Sequence, residues 1–178
     1  KAGVAGSSLV LTNTGVLINN SCNVDANYQT TFDDGISSAM TITLWAKGWP
    51  GQWNPFVCKY GETPAPAGGW QVRNDGGNNV SPCWTIRGNP GTVVLGTAVG
   101  ANAEDMAATS LTFGNDGKWH FYCATYDLTA GQRALYVDGS LVAYTTGQGA
   151  YSPAPSAHLA IGARDQPPGT TTVSNFTT

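Results

Sequence analysis

The chain has 178 residues, with 8 Lys or Arg against 11 Asp or Glu and a formal net charge of −3. A length in this range suits one domain, and the lack of a basic run excludes electrostatic attraction to nucleic acid or to an anionic membrane surface. No stretch approaches the roughly 20 apolar residues of a membrane span, and the first residues do not resemble a signal peptide. We therefore expect one domain over residues 1–178, without membrane insertion and without a nucleic-acid partner.

Short alternating segments predict strands along the whole chain, and no segment carries a convincing helical period. The predicted strands, in chain order, are 8–18, 40–47, 54–60, 69–74, 83–88, 92–95, 119–127, 133–138 and 157–162. Asp-Gly pairs, which tolerate positive φ and close tight hairpins, occur at 34–35, 75–76, 116–117 and 138–139. Residues 101–108 fit one helical turn or a surface loop equally well. This pattern indicates an all-β sandwich of two antiparallel sheets, with Trp45 and Trp119 in its core.

The four cysteines are Cys22, Cys58, Cys83 and Cys123. An even count in a chain poor in Lys and rich in Asn and Thr favours two disulfides and an oxidising compartment over four buried thiols. Four cysteines allow three pairings, which the sequence does not distinguish. Sequons for N-glycosylation begin at Asn19, Asn79 and Asn175. Disulfides and sequons together predict an extracellular or cell-surface location.

Two neighbouring segments resemble the laminin-G-like, concanavalin-A-like superfamily. They are Trp-His-Phe-Tyr-Cys-Ala-Thr-Tyr-Asp at 119–127 and Leu-Tyr-Val-Asp-Gly at 135–139. Further segments that look like strands of this family, in the family's order, are 40–48, 56–62, 69–73 and 158–162. The resemblance runs from about residue 8 to residue 165 and implies a jelly-roll sandwich.

The family's usual last strand has the form Gly-x-Ile/Leu-Asp-x-Val-Arg-Ile-Tyr, and this sequence stops at residues 173–178, where that strand should begin. We therefore expect that the strand lies outside this sequence or is supplied by a neighbouring chain or domain. A sandwich that lacks a strand exposes an unpaired edge and a strip of apolar core. Such an edge can accept a strand from a partner.

The sequence argues against the glycan cleavage that some members of the superfamily perform. Retaining glycosidases need two carboxyl groups about 5 Å apart, which alternate residues of one strand can supply. The chain has two glutamates, Glu62 and Glu104, and neither has an acid two residues away. His120 stands where the resemblance places a structural histidine, so we expect it to form hydrogen bonds rather than to act in catalysis. The chain is therefore predicted not to be an enzyme.

Aromatic side chains predict a binding role, because the apolar faces of sugars stack on Trp and Tyr. Trp49 and Trp53 flank the turn at 50–52 and can project as a pair, although core packing is equally well supported for both. The predicted ligand-binding residues are Trp49, Trp53, Tyr60, Trp70 and Arg73. For Trp70 the alternative is core packing, and for Arg73 it is an ion pair that fixes the sheet.

Many domains of this superfamily bind calcium, which takes about six to eight oxygen ligands. Asp165, just after the last predicted strand, is the candidate ligand for a structural calcium ion, and the alternative is that it caps the turn at Pro167-Pro168. Together these features predict a non-catalytic glycan-binding domain of a larger secreted protein or adhesin. The alternative is a structural subunit of an extracellular fibre or surface assembly that a donated strand completes.

Overall fold

The computed structural model describes most of the predicted strands and the turns between them. The described residues are 16–18, 38–47, 55–61, 68–74, 81–99, 104–108, 116–154, 157, 159–162, 164–165 and 173–174. For 16–18, 61, 164–165 and 173–174 only the backbone is described. The three sequon asparagines Asn19, Asn79 and Asn175 lie outside this set, so the glycosylation sites stay a prediction.

Every regular element in the described part of the chain is a β-strand. The strands are β1 Val16–Ile18, β2 Ala39–Lys47, β3 Pro55–Gly61, β4 Gly68–Asn74, β5 Pro82–Ile86, β6 Thr92–Leu95, β7 Thr97–Val99, β8 Asp105–Ala107, β9 Trp119–Asp127, β10 Gln132–Val137, β11 Ser140–Thr146, β12 Leu159–Ile161, β13 Arg164–Asp165 and β14 Val173–Ser174. No helix among the described residues has the length and apolar character of a membrane span. Within 101–108, where one helical turn or a loop was expected, the described residues contain the strand β8 at Asp105–Ala107.

The strands form two main antiparallel sheets, which confirms the predicted fold class. The seven-stranded sheet has the order β1-β12-β3-β4-β5-β8-β7, and the five-stranded sheet has the order β2-β9-β10-β11-β6. A small third pair joins β13 and β14. The predicted strand at 119–127 occurs with those bounds as β9, whereas β11 was not predicted.

The core lies between the two main sheets, and buried and less buried residues alternate strictly along β9. Tyr122 and Tyr126 are 1% exposed and Ala124 is fully buried, while the residues between them are half-buried and face the other side of the sheet. From the opposite sheet Trp84 reaches across, and its indole N–H donates to the carbonyl of Thr125 at 3.0 Å. Alternation with a period of two therefore gives the five-stranded sheet one apolar face and one outward face.

A buried cation also lies between the sheets. Arg133 on β10 is fully buried, and its Nη1 donates to the carbonyl oxygens of Trp84, at 3.4 Å, and of Glu104. Burial lowers the pKa of Arg133 to about 10, because the interior disfavours its charge. These contacts tie β10 of one sheet to β5 and the start of β8 in the other.

The predicted framework of two disulfides is wrong. Cys58 and Cys83 lie on β3 and β5 with β4 between them, so their backbones are about 10 Å apart, and Cys123 lies in the other sheet. A disulfide needs Cα atoms within about 7 Å, and no bond joins any two of these three residues. Two bonds among four cysteines would require one of those pairs. Cys22 lies outside the described residues.

The core of β10 provides a direct test of this architecture. Leu135 is fully buried, whereas Leu141 on the neighbouring strand is 42% exposed. We predict that Leu135→Ala lowers the free energy of unfolding by about 2–5 kcal/mol, because it removes buried methyl groups and leaves a cavity. Leu141→Ala is the matched control and should change it by less than about 0.5 kcal/mol. Urea denaturation of both variants measures the difference, and equal losses would contradict this placement of the core.

Candidate functional site

Three of the five predicted ligand-binding residues are buried, and the other two lie outside the described residues. Tyr60, Trp70 and Arg73 are 1%, 4% and 1% exposed. Trp49 and Trp53 belong to the part of the chain that the structure does not describe, so their pairing stays a prediction. Tyr60, Trp70 and Arg73 are therefore packed inside the protein.

Arg73 belongs to a polar network on the side of the seven-stranded sheet that faces away from the core. Its Nη2 forms an ion pair with Asp105 at 2.8 Å, and its Nε donates to Thr85 Oγ1 at 3.3 Å. Thr85 in turn donates to the same carboxylate at 2.6 Å. Arg73 therefore fixes the spacing of β4, β5 and β8, which is the role that the sequence allowed as the alternative to ligand binding.

The neighbouring charged groups are also used inside the fold. The guanidinium of Arg87 pairs with Glu104, donates to the hydroxyl of Tyr60 and lies 5.0 Å from the centre of that ring. The ammonium of Lys59 donates to the carbonyls of Ala154 and Ala157 at 2.9 and 2.6 Å. Trp70 packs in the core, with its ring 6.3 Å from that of Trp84. These groups hold loops and strands together.

Among the described residues, the largest exposed aromatic side chains lie instead on the five-stranded sheet. Trp45 is 64% exposed and Trp119 is 48% exposed, so the expectation that both belong to the core is wrong. Trp45 lies opposite Phe121 in the pairing of β2 with β9, and their ring centroids are 5.4 Å apart. Trp119 is on the same side of the sheet, two residues before Phe121. We refer to Trp45, Trp119 and Phe121 as the aromatic face.

The reason for this exposure is that only one side of β2 and β9 is covered. Ile42 and Leu44 on β2 and Tyr122 on β9 fill the core side, and the residues between them alternate to the outside. Both sides of the two strands carry large apolar residues, which is the pattern that a strand buried on both sides would also show.

The surface beside the aromatic face is polar and mostly uncharged. Thr43 and Cys123 lie opposite each other in the next outward row, and Tyr136 of β10 lies opposite Cys123. Charged residues occur at the two ends of the strand pair, with Lys47 opposite Trp119 and Asp127 opposite Ala39.

Below the aromatic face, His120 lies between two carboxylates. Its Nδ1 is 2.6 Å from Asp138 Oδ2, and its Nε2 is 3.0 Å from Asp116 Oδ1. Burial alone would lower the pKa of His120, but the hydrogen bonds to Asp138 and Asp116 outweigh burial and raise it. The pKa of Asp138 is lowered, chiefly by its bond to His120 and then by the N–H of Phe121. His120 has the hydrogen-bonding role that the sequence predicted, and we refer to the three residues as the His120 clasp.

No metal site emerges from the residues that the structure describes. Among them, no group of three or more His, Cys, Asp and Glu side chains is arranged to hold a metal ion. Only the backbone of Asp165 is described, as part of β13. The calcium ion and its ligand Asp165 therefore stay a prediction.

The fold and this surface can be compared with known proteins. A laminin G family model, described as the concanavalin A-like lectin/glucanases superfamily, matches residues 19–176. The chain belongs to this family. The resemblance that the sequence suggested is thereby confirmed, and it covers most of the domain.

Individual relatives match less of the chain or match it less closely. Adhesion G protein-coupled receptor D2 of Homo sapiens is 39% identical over 79 residues, which are 43% of this chain and 8% of the receptor. Domains LG4-5 of the mouse laminin alpha1 chain give a TM-score of 0.50 at 10% identity and cover 99% of this chain and 44% of that chain. A heptameric SAP-like pentraxin of Limulus polyphemus gives 0.39 at 13% identity over 78% of this chain and 62% of its own. The laminin structure supports the fold alone.

The reactivity of Cys123 tests whether this side of the sheet is open. Cys123 is half-buried beside the aromatic face, whereas Cys83 is fully buried. Burial raises the pKa of Cys123, so the thiolate forms only in alkaline solution. We predict that iodoacetamide at about pH 9 modifies Cys123 in the folded protein at least about tenfold faster than Cys83, as measured by peptide mass spectrometry. In urea the two rates should become equal, and equal rates in the folded protein would contradict the exposed face.

Proposed function

We propose that this domain is an extracellular, non-catalytic module of a larger protein and that it binds a glycan on its aromatic face. The observation that supports this most directly is the exposure of Trp45 beside Phe121 and Trp119, on a sheet whose other side faces the core. Large aromatic side chains are rarely left in water without a binding role when they form a contiguous group. An adhesion receptor among the similar proteins supports an extracellular location.

A sugar is the ligand that best suits the chemistry of this surface. Pyranose rings have apolar C–H faces that lie flat on aromatic rings, and hydroxyls that bond to neutral polar side chains. The aromatic face provides the rings, and Thr43, Thr125 and Tyr136 provide hydroxyls in adjoining rows. Strands about 4.8 Å apart place the rings within the span of roughly two sugar units. Such a small contact predicts weak affinity for one site.

The placement of the carboxylates supports binding without hydrolysis. Glu104 pairs with Arg87, and Asp105 pairs with Arg73, both away from the aromatic face. The carboxylates nearest to Trp119 and Phe121 are Asp116 and Asp138, and both are hydrogen-bonded to His120. A glycosidase needs a pair of carboxyl groups that face the substrate.

Glycan binding is tested by removing the exposed rings. We predict that Trp45→Ala and Trp119→Ala each weaken binding about tenfold or more, because each removes a stacking surface worth about 1.4 kcal/mol or more. Binding to a glycan array, followed by calorimetry with the strongest oligosaccharide, measures the loss. Val94→Ala, an exposed residue on the opposite edge strand β6, is the control and should bind like the wild type.

If removal of the Trp45 and Trp119 rings left glycan binding unchanged, the aromatic face would not be the binding site. If the wild-type protein bound no glycan on the array, the proposed function itself would be refuted. Tryptophan fluorescence should change on binding in the wild type, since both rings are in contact with water in the free protein.

A second function, acceptance of a donated strand, is favoured by the free edge of β2. The strand is at the edge of the five-stranded sheet, and no strand in the described part of the chain pairs with its outer side. Its core-facing residues Met40, Ile42, Leu44 and Ala46 are only half-buried, whereas their neighbours on β9 are fully buried. One more strand would cover this apolar strip and satisfy the edge. This supports a subunit of an extracellular assembly that a neighbouring chain completes.

Assembly through this edge is tested with a charge on β2. We predict that the native protein forms assemblies by light scattering and that Thr43→Lys shifts them toward monomers, because Lys on an edge strand opposes further pairing. Thr125→Lys is the matched control, since it places the same charge on the same side of the interior strand β9. A wild-type protein that is monomeric at about 50 μM, far above the nM range typical of stable assemblies, would contradict strand donation.

A further inference from the structure

The end of β9 that carries Trp119 and Phe121 extends beyond the end of its neighbour β10. The ladder between β9 and β10 ends with Val137 opposite Tyr122, so the three residues before Tyr122 have no partner on β10. On the other side Lys47 pairs with Trp119 and Trp45 pairs with Phe121. Among the described strands β2 is itself the edge strand, so the segment 119–121, which carries two of the three rings of the aromatic face, is supported by one ladder alone.

Asp138 takes the place of the missing strand on the β10 side. It follows β10 directly and has a φ of 50°, a left-handed conformation that turns its side chain and its N–H back toward β9. Its N–H donates to the carbonyl of Phe121 at 2.8 Å, and its Oδ1 accepts the N–H of Phe121 at 2.9 Å. These two bonds reproduce one rung of an antiparallel ladder and hold Phe121 in the plane of the sheet.

His120 extends this support to the turn before Trp119. Asp116 Oδ1 contacts Nε2 of His120 and also accepts the N–H of Lys118 at 2.9 Å, so it closes the turn at 116–118. Each ring nitrogen of His120 faces a carboxylate oxygen, and a neutral imidazole has one N–H to donate. Both contacts are hydrogen bonds at the same time only when His120 is protonated.

We propose that the His120 clasp positions Trp119 and Phe121 for ligand, and that loss of the His120 proton releases the Asp116 side of the clasp and weakens binding at alkaline pH. The Asp138 contact is the shorter of the two, so the single remaining N–H stays with Asp138. The turn at 116–118 then loses its link to β9, and the bond between His120 and Asp138 is no longer between two charged groups. Trp119 and the N–H of Phe121, which Asp138 accepts, are therefore both held less firmly. The effect on glycan binding rests on the proposed function, whereas the effect on the backbone does not.

The charged and titratable groups around His120 fix the direction of the pH dependence. Asp116 and Asp138 face its two nitrogens, Lys118 lies 3.5 Å from Asp116, and the ring of Tyr122 lies 6.4 Å away edge-on. From β2 the opposite residue is the uncharged Ala46. Because the pKa of His120 is raised in the folded protein, the stability that its contacts with Asp116 and Asp138 contribute is complete at and below the usual His range. This stability is lost as the pH rises through the pKa of His120 in the folded protein. The lowered pKa values of Asp116 and Asp138 mean that acid releases the clasp only below the usual Asp range.

The experiment follows His120 and the amide of Phe121 together, without a ligand. Nuclear magnetic resonance gives the pKa of His120, with His158, the second of the two histidines, distinguished by a His120→Gln variant. Amide hydrogen exchange, corrected for base catalysis, gives the protection of the Phe121 N–H. We expect the pKa of His120 to exceed its usual value of about 6.5 and the protection to fall about tenfold or more through the same pH range.

Asn substitutions separate the charge from the shape of the clasp. Asp138→Asn keeps a side chain that tolerates positive φ and can still accept the N–H of Phe121, but it removes the charge that faces His120. We expect this variant and Asp116→Asn to lower the pKa of His120 and to move the loss of Phe121 protection to lower pH. Asp127→Asn, the same substitution at the far end of β9, is the matched control and should leave both unchanged.

The outcomes separate this inference from the proposed function. A His120 that titrates at or below about 6.5, or a Phe121 amide whose protection does not follow it, overturns the clasp even if glycans bind. If the clasp titrates as expected and a glycan from the array binds equally well on both sides of that pH range, its positioning role is overturned. If no glycan binds at all, the proposed function fails, and the ligand-free measurements still decide the clasp.

Discussion

The unbroken pairing of β2 with β9 is the constraint on which the rest of the five-stranded sheet depends. Nine consecutive residue pairs run from Ala39 opposite Asp127 to Lys47 opposite Trp119 without a bulge. A slip of β2 by one residue against β9 would send Ile42 and Leu44 to the outside and Trp45 to the inside. This register therefore determines which residues form the core and which form the aromatic face. It also determines that residues 119–121, which the His120 clasp supports, extend beyond β10.

Much of the fold could be predicted from the sequence because strands have a recognisable local pattern. Alternation with a period of two, together with Asp-Gly turns, predicted both ends of β2, β9 and β10 to within one residue. β11 was missed because the register shifts between Leu135 and Tyr136 of its partner, and the alternation of Ser140–Thr146 is irregular there. Local pattern does not contain such a shift, which arises from pairing.

The candidate site was harder to predict because exposure is a property of what covers a strand. Trp45 and Trp119 have the same local pattern as buried residues, and the difference is that no strand in the described part of the chain lies over their side of the sheet. The burial of charged side chains was equally hard to predict, because their partners are far away in the sequence. Lys59 finds its carbonyl partners 95 and 98 residues further along the chain, a distance that no motif in a single sequence reports.

The two main sheets differ in how freely they can change during evolution. Every residue of β4 and of β5 is buried, so a substitution at any position disturbs packing on one side of the sheet or the other. Along β2 every second residue is exposed, and its replacement leaves the core intact. The outer side of β2 can therefore change its surface chemistry at little cost to folding, whereas β4 and β5 tolerate few changes.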